Sequence, residues 1–435
     1  MATSWVPDMD PASDFSLANI PFGIISTEAD PAPHAAVAIG SFVLDLKVLS
    51  ADAGLGQILP GIDGLADAFS QPTLNAFAEM GRAVHRRVRS ALQELLSAET
   101  AHPAVLRDNA ALRGRALLPQ SAVRMHLPMA IGDYTDFYAG YHHAHAVGAM
   151  FRGPDKALQP NYLHLPVGYH GRASSVVVSG TPIRRPVGQI LPDADPASEQ
   201  KRRPVTAPSR KLDMELELGC FVARGNGMGE AIAVGDADEH IFGYVLLNDW
   251  SARDVQTWEY VPLGPFNGKN FATTVSPWVV LADALEPFRT RPIENPTELQ
   301  DYLREPREER VFDLTLEVDL TTADGTTTTI GRTSSRHLIW SFPQMIAHHT
   351  LGGCPLRAGD LLGSGTISGP GGVGERGSLL EMTENGKKEV LLAGAEARTF
   401  LKDGDTITLR GFCGQEGARV GFGECRGTIY GAVQR

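Results

Sequence analysis

The sequence has few cysteines, no excess of basic charge and no long apolar run. Four cysteines occur among 435 residues without a C-x-x-C pair, so we expect reduced thiols rather than disulfides or a cysteine zinc site. Acidic residues outnumber basic ones by 51 to 39, which argues against nucleic-acid or membrane-surface partners, since these require a basic face. No stretch approaches the roughly 20 apolar residues of a membrane helix, and residues 1–17 lack a signal-peptide pattern. These absences predict a cytoplasmic protein.

Length and composition predict a globular chain of two or three domains, and a change in texture along the sequence favours two. Hydrophobic residues make up 43% and charged residues 21% of the sequence, which is typical of folded chains. Residues 1–122 contain short apolar runs joined by turn residues, and over 73–98 apolar residues recur every three or four positions. This pattern predicts a small β domain with one long helix, and we expect the arginines off the apolar stripe to face solvent.

Residues 123–435 predict a larger, mostly β domain with a mixed sheet. Short β-type runs are separated by glycine and proline, and helical spacing is confined to 296–304 and 341–351. Regular strand–helix alternation is absent, which argues against a Rossmann sheet or a TIM barrel. Residues 191–209, rich in Asp, Pro, Lys and Arg, predict an exposed insertion loop.

The strongest chemical signal is the run 212–218 (LDMELEL), in which acidic and apolar residues alternate. A strand here places Asp213, Glu215 and Glu217 on one face. The alternative explanation is an ordinary edge strand with its acids in water. Two facts weaken that alternative: like charges at adjacent positions repel unless a cation lies between them, and the apolar run 219–222 predicts that the strand continues into a core.

Two further polar clusters accompany this run. The first is 133–138 (DYTDFY), followed by three histidines within 142–145, and the second is 248–254 (NDWSARD). Either cluster alone is explained by a surface loop. Together with 212–218 they would supply an all-oxygen cage for Mg²⁺ or Ca²⁺, not for zinc or copper, and such an ion could stabilise an enolate. The carboxylates concerned are Asp136, Glu215, Glu217 and Asp249.

Three other site types have weaker sequence support. His143 and His145 form an H-x-H pair of the zinc amidohydrolase type, but that class needs the strand–helix alternation of a TIM barrel. A serine hydrolase is disfavoured because no G-x-S-x-G motif is present. The glycine-rich run 363–377 lacks a following Gly-Lys-Ser/Thr, so a phosphate loop is unsupported as well.

Several long motifs resemble the fumarylacetoacetate hydrolase family, in the family's order, from about residue 17 to the C-terminus. They are 132–138 (GDYTDFY), 151–153 (FRG), 163–175 (LHLPVGYHGRASS), 212–217 (LDMELE), 248–254 (NDWSARD), 258–266 (WEYVPLGPF), 363–369 (GSGTISG) and 377–381 (GSLLE). The resemblance implies an N-terminal SH3-like barrel, a mixed β-sandwich roll and a homodimer. It also implies hydrolysis of a carbon–carbon bond in a β-diketone, giving fumarate and acetoacetate.

The resemblance implies roles for individual side chains. The divalent-ion ligands would be Asp136, Glu215, Glu217 and Asp249, with a second, structural Mg²⁺ near Asp249, Lys269 and Thr273. His143 would activate water with Glu381 behind it; its seven-residue offset from Asp136 matches the family, whereas His142 and His145 would be loop or surface residues. The oxyanion-stabilising groups would be Arg253, Gln256 and Lys269. The substrate-contacting residues would be Tyr138, Arg152, Tyr169, Gln256, Tyr260 and Thr366.

Elementary chemistry supports these implied roles. Carbon–carbon cleavage needs a nucleophile and a sink for the departing carbanion, and a neutral imidazole can take a proton from water. Arginine can pair with the carboxylates of a small dicarboxylate diketone. Two alternatives stay open: an acylpyruvate hydrolase or decarboxylase of the same superfamily, and an inactive, cation-stabilised binding protein. The run 258–266 favours a fumarylacetoacetate hydrolase over an acylpyruvate hydrolase or decarboxylase. The retained His143, Glu381 and Lys269 argue against an inactive binding protein.

Overall fold

The computed structural model describes residues 3–51, 54–192 and 203–433, and most of its regular structure is sheet. The N-terminal strands are β1 (Phe22–Ser26), β2 (His34–Ile39), β3 (Phe42–Asp45), β4 (Leu117–Pro119) and β5 (Arg124–His126). They form one antiparallel sheet in the order β4-β3-β2-β1-β5. The apolar runs that predict β1, β2 and β3 are thereby confirmed as strands.

The N-terminal helices lie between β3 and β4 in the chain. They are α1 (Leu46–Ala51), α2 (Gly54–Ile58), α3 (Leu65–Phe69), α4 (Asn75–Glu79), α5 (Arg82–Leu96) and α6 (Ala110–Ala116). The prediction of one continuous helix over 73–98 is wrong. Gly81 has a φ of 83°, a backbone conformation that an α-helix does not continue through, and it separates α4 from α5.

On the arginine-bearing face of α5, Arg82 is buried and Arg89 is half-buried, so the prediction that they face solvent is wrong, whereas Arg86 is exposed, as predicted. Arg82 Nη2 lies 3.0 Å from Asp283 Oδ1 and 2.7 Å from Glu286 Oε1. Arg89 Nε donates to the carbonyl oxygen of Asn19 at 3.0 Å. Helical periodicity cannot reveal partners that are remote in sequence. We call the ion-paired group around Arg82 the arginine cluster: Arg82, Arg86, Arg289, Arg307, Asp238, Asp283 and Glu286.

The remaining elements build the larger part of the molecule. The strands are β6 (Tyr134–Phe137), β7 (Gly168–His170), β8 (Val176–Val178), β9 (Ile183–Arg184), β10 (Val187–Ile190), β11 (Val205–Pro208), β12 (Leu212–Asp213), β13 (Leu216–Val222), β14 (Ile241–Asp249), β15 (Ser251–Ala252), β16 (Thr273–Val275), β17 (Val280–Leu281), β18 (Arg289–Thr290), β19 (Val311–Phe312), β20 (Thr315–Thr321), β21 (Thr327–Ser334), β22 (Leu361–Gly363), β23 (Val390–Leu391), β24 (Ala397–Arg398), β25 (Thr406–Cys413) and β26 (Val420–Tyr430). The helices are α7 (Tyr141–Arg152), α8 (Arg253–Glu259), α9 (Ala282–Leu285), α10 (Phe342–Thr350) and α11 (Leu379–Met382).

Two large sheets organise these strands. The first has the order β7-β6-β22-β13-β14-β16-β8, with β17 also paired to β14. The second has the order β21-β20-β25-β26-β9. Both sheets mix parallel with antiparallel pairs, since β22 runs parallel to β6 and β26 runs parallel to β9. The predicted mixed sheet is confirmed.

The first sheet is a middle layer with a hydrophobic core on each face. On one side, Leu218 belongs to a core that includes Leu316 of the second sheet. On the other side, Phe221 belongs to a core that includes Phe77 of α4. Burial on both faces explains why β13 and β14 contain so few exposed positions. Among the described residues, no helix is long and apolar enough to cross a membrane.

Three local predictions differ from the structure in detail. The run 212–218 is not one strand, because Asp213 Oδ1 accepts a hydrogen bond from the Met214 backbone N–H, and the ladder resumes at β13. Helix 341–351 is confirmed as α10, whereas 296–304 contains only a short 3₁₀ turn, Asp301–Leu303. Within the predicted loop 191–209, residues 193–202 lie outside the described residues, and β11 pairs with β10.

Candidate active site

Three acidic side chains of the middle layer converge on one point. Asp136 comes from β6, Glu217 from β13 and Asp249 from the end of β14. One carboxylate oxygen from each lies within 4.8 Å of the other two, and all three residues are buried. By strand alternation, Glu217 shares the sheet face of Phe221, the face that packs on the N-terminal helices. We call Asp136, Glu217 and Asp249 the carboxylate cradle.

Gly363 provides the space in which the cradle forms. Strand β22 lies between β6 and β13, and Gly363 is in register with Asp136 on one side and Gly219 on the other. A Cβ atom at position 363 would lie 2.7 Å from Asp136 Oδ1 and 3.1 Å from Glu217 Oε2. Any side chain here would therefore fill the cradle.

The cradle carries unbalanced negative charge. Among the described residues, Asp136 Oδ1 and Glu217 Oε1 are buried without a hydrogen-bond partner. Burial, followed by the charge of Asp249, raises the pKa of Asp136 well above its usual value; burial, followed by the charge of Asp136, does the same to the pKa of Glu217. A cation among these oxygens would offset both effects. Hard divalent cations take all-oxygen ligand sets, so the residues present fit such an ion.

Glu215 lies beside the cradle and pairs with two cationic side chains. Its Oε1 accepts from Arg253 Nη2 at 2.9 Å, and its Oε2 forms an ion pair with Lys269. Although burial raises the pKa of Glu215, the charges of Lys269 and Arg253 outweigh it and hold that pKa below its usual value. Lys269 also reaches Asp249 Oδ2 at 2.6 Å, so it links Glu215 to the cradle. That Glu215 is a fourth metal ligand stays a prediction.

Asp249 is the most heavily hydrogen-bonded member of the cradle. Thr273 Oγ1 donates to its Oδ1 at 3.1 Å, and the Tyr169 hydroxyl donates to its Oδ2 at 3.0 Å. These three residues and Lys269 line a cavity of about 180 Å³. The residues predicted for a second ion and for substrate thus meet at Asp249, and their separate roles stay predictions.

A buried histidine–glutamate pair lies next to these carboxylates. His143 Nδ1 is 2.6 Å from Glu381 Oε2, and both residues are nearly inaccessible to solvent. Burial raises the pKa of Glu381, but the charge of His143 and the hydrogen bond between them outweigh it and lower that pKa. His143 Nε2 lies 3.8 Å from Glu215 Oε1. Since Glu381 accepts at Nδ1, Nε2 is the ring nitrogen left to accept a proton.

Helix α7 places His143 by a close backbone approach at its first turn. A Cβ at Gly140, the N-cap of α7, would lie 1.9 Å from the Thr366 carbonyl oxygen, so only glycine fits there. His142 and His145 belong to the same helix; His142 is half-buried and His145 is exposed. The prediction of a loop or surface position is therefore confirmed for His145, which is exposed on α7, whereas His142 is a half-buried residue of the same helix.

Two serines that the sequence reasoning did not single out hold Glu381. The Ser368 and Ser378 hydroxyls each donate to Glu381 Oε2 at 2.9 Å. Ser378 is also the N-cap of α11 and accepts from the Glu381 backbone N–H at 3.3 Å. The run 378–381 (SLLE) has the S-x-x-E spacing of a helix start, and this signal predicts the placement of Ser378.

Arg253 is held at the centre of a buried network. Its Nε donates to Asp213 Oδ2 at 2.8 Å, and its Nη1 donates to Gln256 Oε1 at 3.3 Å. Together with the pair to Glu215, these contacts connect strand β12 with helix α8. The sequence singles out Asp213 as an acid but assigns it no role.

The other predicted substrate residues lie at different depths. Tyr138 packs edge-on against His143, with ring centroids 5.4 Å apart, and Thr366 is buried. Arg152 is exposed at the end of α7, where its Nη2 donates to a backbone carbonyl at 2.7 Å. Tyr260 directly follows α8 and is 49% exposed. Contact of these residues with a substrate stays a prediction.

Comparison with known proteins covers nearly the whole chain. Residues 18–128 match the fumarylacetoacetase N-terminal family model, and residues 134–430 match the fumarylacetoacetate hydrolase C-terminal model. The chain is 58% identical to the fumarylacetoacetase of Aspergillus fumigatus and 48% identical to that of Homo sapiens, each over 424 residues and 97% of both chains. It also resembles the solved fumarylacetoacetate hydrolase of Exiguobacterium antarcticum in fold, with a TM-score of 0.50, 16% identity, and 95% and 99% of the two chains covered.

Proposed function

Because the chain belongs to the fumarylacetoacetase family and is a hydrolase acting on carbon–carbon bonds, we propose that it converts 4-fumarylacetoacetate and water to fumarate and acetoacetate. The observation that carries this proposal is the His143–Glu381 pair beside the carboxylate cradle. A β-diketone is cleaved by adding water to one carbonyl and expelling the other half as an enolate. The site holds a base for the first step and a charge-stabilising environment for the second.

His143 acts as the general base. Its Nε2 takes a proton from water, and the resulting hydroxide attacks the carbonyl carbon next to the fumaryl double bond. Glu381 accepts from Nδ1–H, which keeps the imidazole in the required tautomer and stabilises the imidazolium that forms. Ser368 and Ser378 keep that carboxylate in place.

Lys269, Arg253 and Gln256 stabilise the tetrahedral oxyanion. Lys269 and Arg253 are buried cations beside Glu215, so they supply positive charge and donors where water is excluded. When the carbon–carbon bond breaks, the fumaryl carbon becomes the new carboxyl group. The bonding electron pair leaves with acetoacetate as an enolate, which recovers a proton from the His143 imidazolium.

The carboxylate cradle holds the divalent cation, with Glu215 as a fourth ligand and with Mg²⁺ or Ca²⁺ as the ion. Bound there, the ion supplies Lewis-acid polarisation of ketone and enolate oxygens. A second, structural Mg²⁺ binds near Asp249, Lys269 and Thr273. The unpartnered oxygens of Asp136 and Glu217 support the first of these sites.

Substrate carboxylates and carbonyls meet a ring of polar side chains. These are Tyr138, Arg152, Tyr169, Gln256, Tyr260 and Thr366. Tyr138 already contacts the His143 ring, and Tyr169 contacts Asp249. Arg152 provides the positive charge that an acidic protein needs for a dianionic substrate.

The same family membership supports a wider proposal about organisation. Residues 1–122 form an SH3-like barrel domain and residues 123–435 a catalytic β-sandwich roll. The protein is a cytoplasmic homodimer without a nucleic-acid or membrane partner. Sedimentation of the purified chain, expected at twice the monomer mass, tests the dimer.

Turnover tests the proposed reaction. Purified protein with Mg²⁺ or Ca²⁺ should consume fumarylacetoacetate with matched release of fumarate and acetoacetate. His143→Ala should lower kcat by about 1000-fold or more, because it removes the general base. It should leave the cation-dependent rise in Tm unchanged, because His143 is not part of the cradle.

The matched control is His145→Ala, which removes an exposed imidazole from the same helix and should keep wild-type turnover. No turnover by the wild-type protein, or cleavage of an acylpyruvate in place of fumarylacetoacetate, would contradict the proposed reaction. Full activity of His143→Ala would show that the base is another residue.

A further inference from the structure

We propose that Asp213 is a positioning residue that fixes Arg253 and Glu381 relative to each other. This inference rests on the proposed function, in which Arg253 stabilises the oxyanion and Glu381 orients the general base His143. Asp213 itself does not point into the carboxylate cradle and is completely buried. It acts through the side chains that it holds.

Four hydrogen bonds converge on the two oxygens of Asp213. Oδ1 accepts from the backbone N–H groups of Met214 and Leu379, both at 2.8 Å. Oδ2 accepts from the backbone N–H of Leu380 at 2.9 Å and from Arg253 Nε at 2.8 Å. The carboxylate therefore has all its partners within the protein, as a buried charge requires.

These four donors come from three separate elements of the fold. Met214 follows β12, Arg253 begins α8, and Leu379 and Leu380 begin α11. Glu381 is the next residue of α11, so the turn that carries the partner of His143 is tied directly to Asp213. One carboxylate thus sets the distance between the oxyanion-stabilising guanidinium and the base-orienting glutamate.

An amide cannot replace this carboxylate, although it has the same shape. Every partner of Asp213 is a donor, and asparagine brings two donors of its own in place of one acceptor oxygen. Turned one way, its NH₂ group opposes the N–H groups of Met214 and Leu379; turned the other way, it opposes Leu380 and Arg253. In either orientation α11 or α8 must shift.

The test is steady-state kinetics of Asp213→Asn on fumarylacetoacetate. A displacement of the catalytic groups by about 1 Å is expected to lower kcat by about 100-fold, while KM changes by less than about threefold. The cation-dependent rise in Tm should stay as in the wild type, because the cradle carboxylates are on other strands. In a Glu381→Gln background, the same substitution should cost less than about tenfold in kcat, because the group that it misplaces is already impaired.

Asp283→Asn is the matched control. Asp283 is likewise an aspartate of low exposure whose partners are arginines, but they are Arg82 and Arg86 of the arginine cluster. It should lose stability without a change in kcat per folded molecule. Asp213→Ser, which leaves a hydroxyl acceptor and room for water, is the second variant and should show the same kcat-against-KM split.

Each outcome decides the matter. Wild-type turnover together with unimpaired kcat in both Asp213 variants would overturn the inference and leave the proposed function standing. Lack of wild-type turnover would reject the proposed function itself. If both Asp213 variants are unfolded by circular dichroism, or if kcat falls equally in the presence and absence of Glu381, Asp213 is a structural residue and the inference is wrong.

Discussion

The carboxylate cradle is fully buried and the arginine cluster only partly so, since Arg86 is 61% exposed, and the two groups also balance their charges differently. In the arginine cluster, each carboxylate meets a guanidinium; Asp238, for example, lies 3.0 Å from Arg289 and 2.7 Å from Arg307. In the cradle, Asp136 and Glu217 each retain a buried oxygen without a partner among the described residues. Since burial of unpaired charge is costly, the first arrangement is complete as it stands, whereas the second is balanced only when it binds protons or a cation.

This difference separates structural charge from functional charge. Matched pairs join two parts of a molecule and need nothing else. Unmatched carboxylates facing one another lower stability unless a ligand repays the cost, so their presence indicates a binding site. The variants below test this contrast.

The largest effect is expected from Glu217→Gln. In the proposed metal site this variant removes one of the carboxylates, so turnover should fall by about 1000-fold or more, and the rise in Tm on adding Mg²⁺ or Ca²⁺ should disappear. In a chelator, its Tm should equal or exceed that of the wild type, because one of three mutually repelling charges is gone. Scanning calorimetry with and without chelator measures the two Tm effects. Glu239→Gln, at an exposed position, is the control. If the Tm of Glu217→Gln still rose on adding Mg²⁺ or Ca²⁺, the unpaired carboxylates would not form the cation site.

Asp283→Asn should lower stability whether or not a divalent cation is present. It removes the less exposed of the two carboxylates that pair with Arg82, so the free energy of unfolding should fall by about 3 kcal/mol. The loss should be the same with and without divalent cation, as measured by chemical denaturation. If cation addition restored the stability, the two clusters would not be independent.

Lowering the pH should reduce the stability of the protein through His85, a buried histidine of α5. Burial lowers the pKa of His85 to about 4, while its Nε2 donates to the carbonyl oxygens of Phe77 and Ala78. Because the folded-state pKa lies below the usual 6.5, the unfolded chain binds the extra proton first, and stability is lost as the pH falls from about 6.5 towards 4. Between pH 6.5 and 5.5 this one group should cost about 1 kcal/mol.

Chemical denaturation of His85→Gln at pH 6.5 and 5.5 measures the contribution of this histidine to the loss of stability. The variant should lose less stability than the wild type over the same interval, by about the amount expected for the one histidine. An identical loss in both proteins would assign the pH dependence to other groups.

A separate effect, on cation affinity, is expected from Gly363→Ala. The added Cβ would crowd Asp136 Oδ1 and Glu217 Oε2, so cation affinity measured by calorimetric titration should fall by about tenfold. Gly372→Ala is the control, because a Cβ there meets nothing within 4 Å. Unchanged affinity in Gly363→Ala would show that the ion binds outside the cradle.

Local sequence patterns predicted the parts of this protein that depend on local structure. The alternation in 212–218 placed Glu217 on the face opposite the apolar residues, and the apolar run after it correctly indicated that the strand enters a core. Mostly-sheet architecture followed from short runs and frequent glycine. The division between α4 and α5 was missed because apolar periodicity continues through Gly81, whereas the backbone turns there.

Contacts between remote segments could not be predicted in the same way. The solvent-facing interpretation of Arg82 failed because its partners lie about 200 positions away along the chain. The link from Asp213 to α11 joins residues separated by 166 positions, and it depends on backbone N–H groups, which every sequence contains. The resemblance to a known family supplied the pairing of His143 with Glu381, which spacing alone does not predict.

The double-sided burial of the middle layer links distant mutations to catalysis. Phe77 of α4 packs against Phe242 of β14, with ring centroids 5.8 Å apart, and the same strand ends in Asp249. The N-terminal helices therefore pack against a strand that carries one of the cradle carboxylates, and this packing restrains its position. A substitution at Phe77 should therefore weaken cation binding in the cradle, although Phe77 is not a member of it.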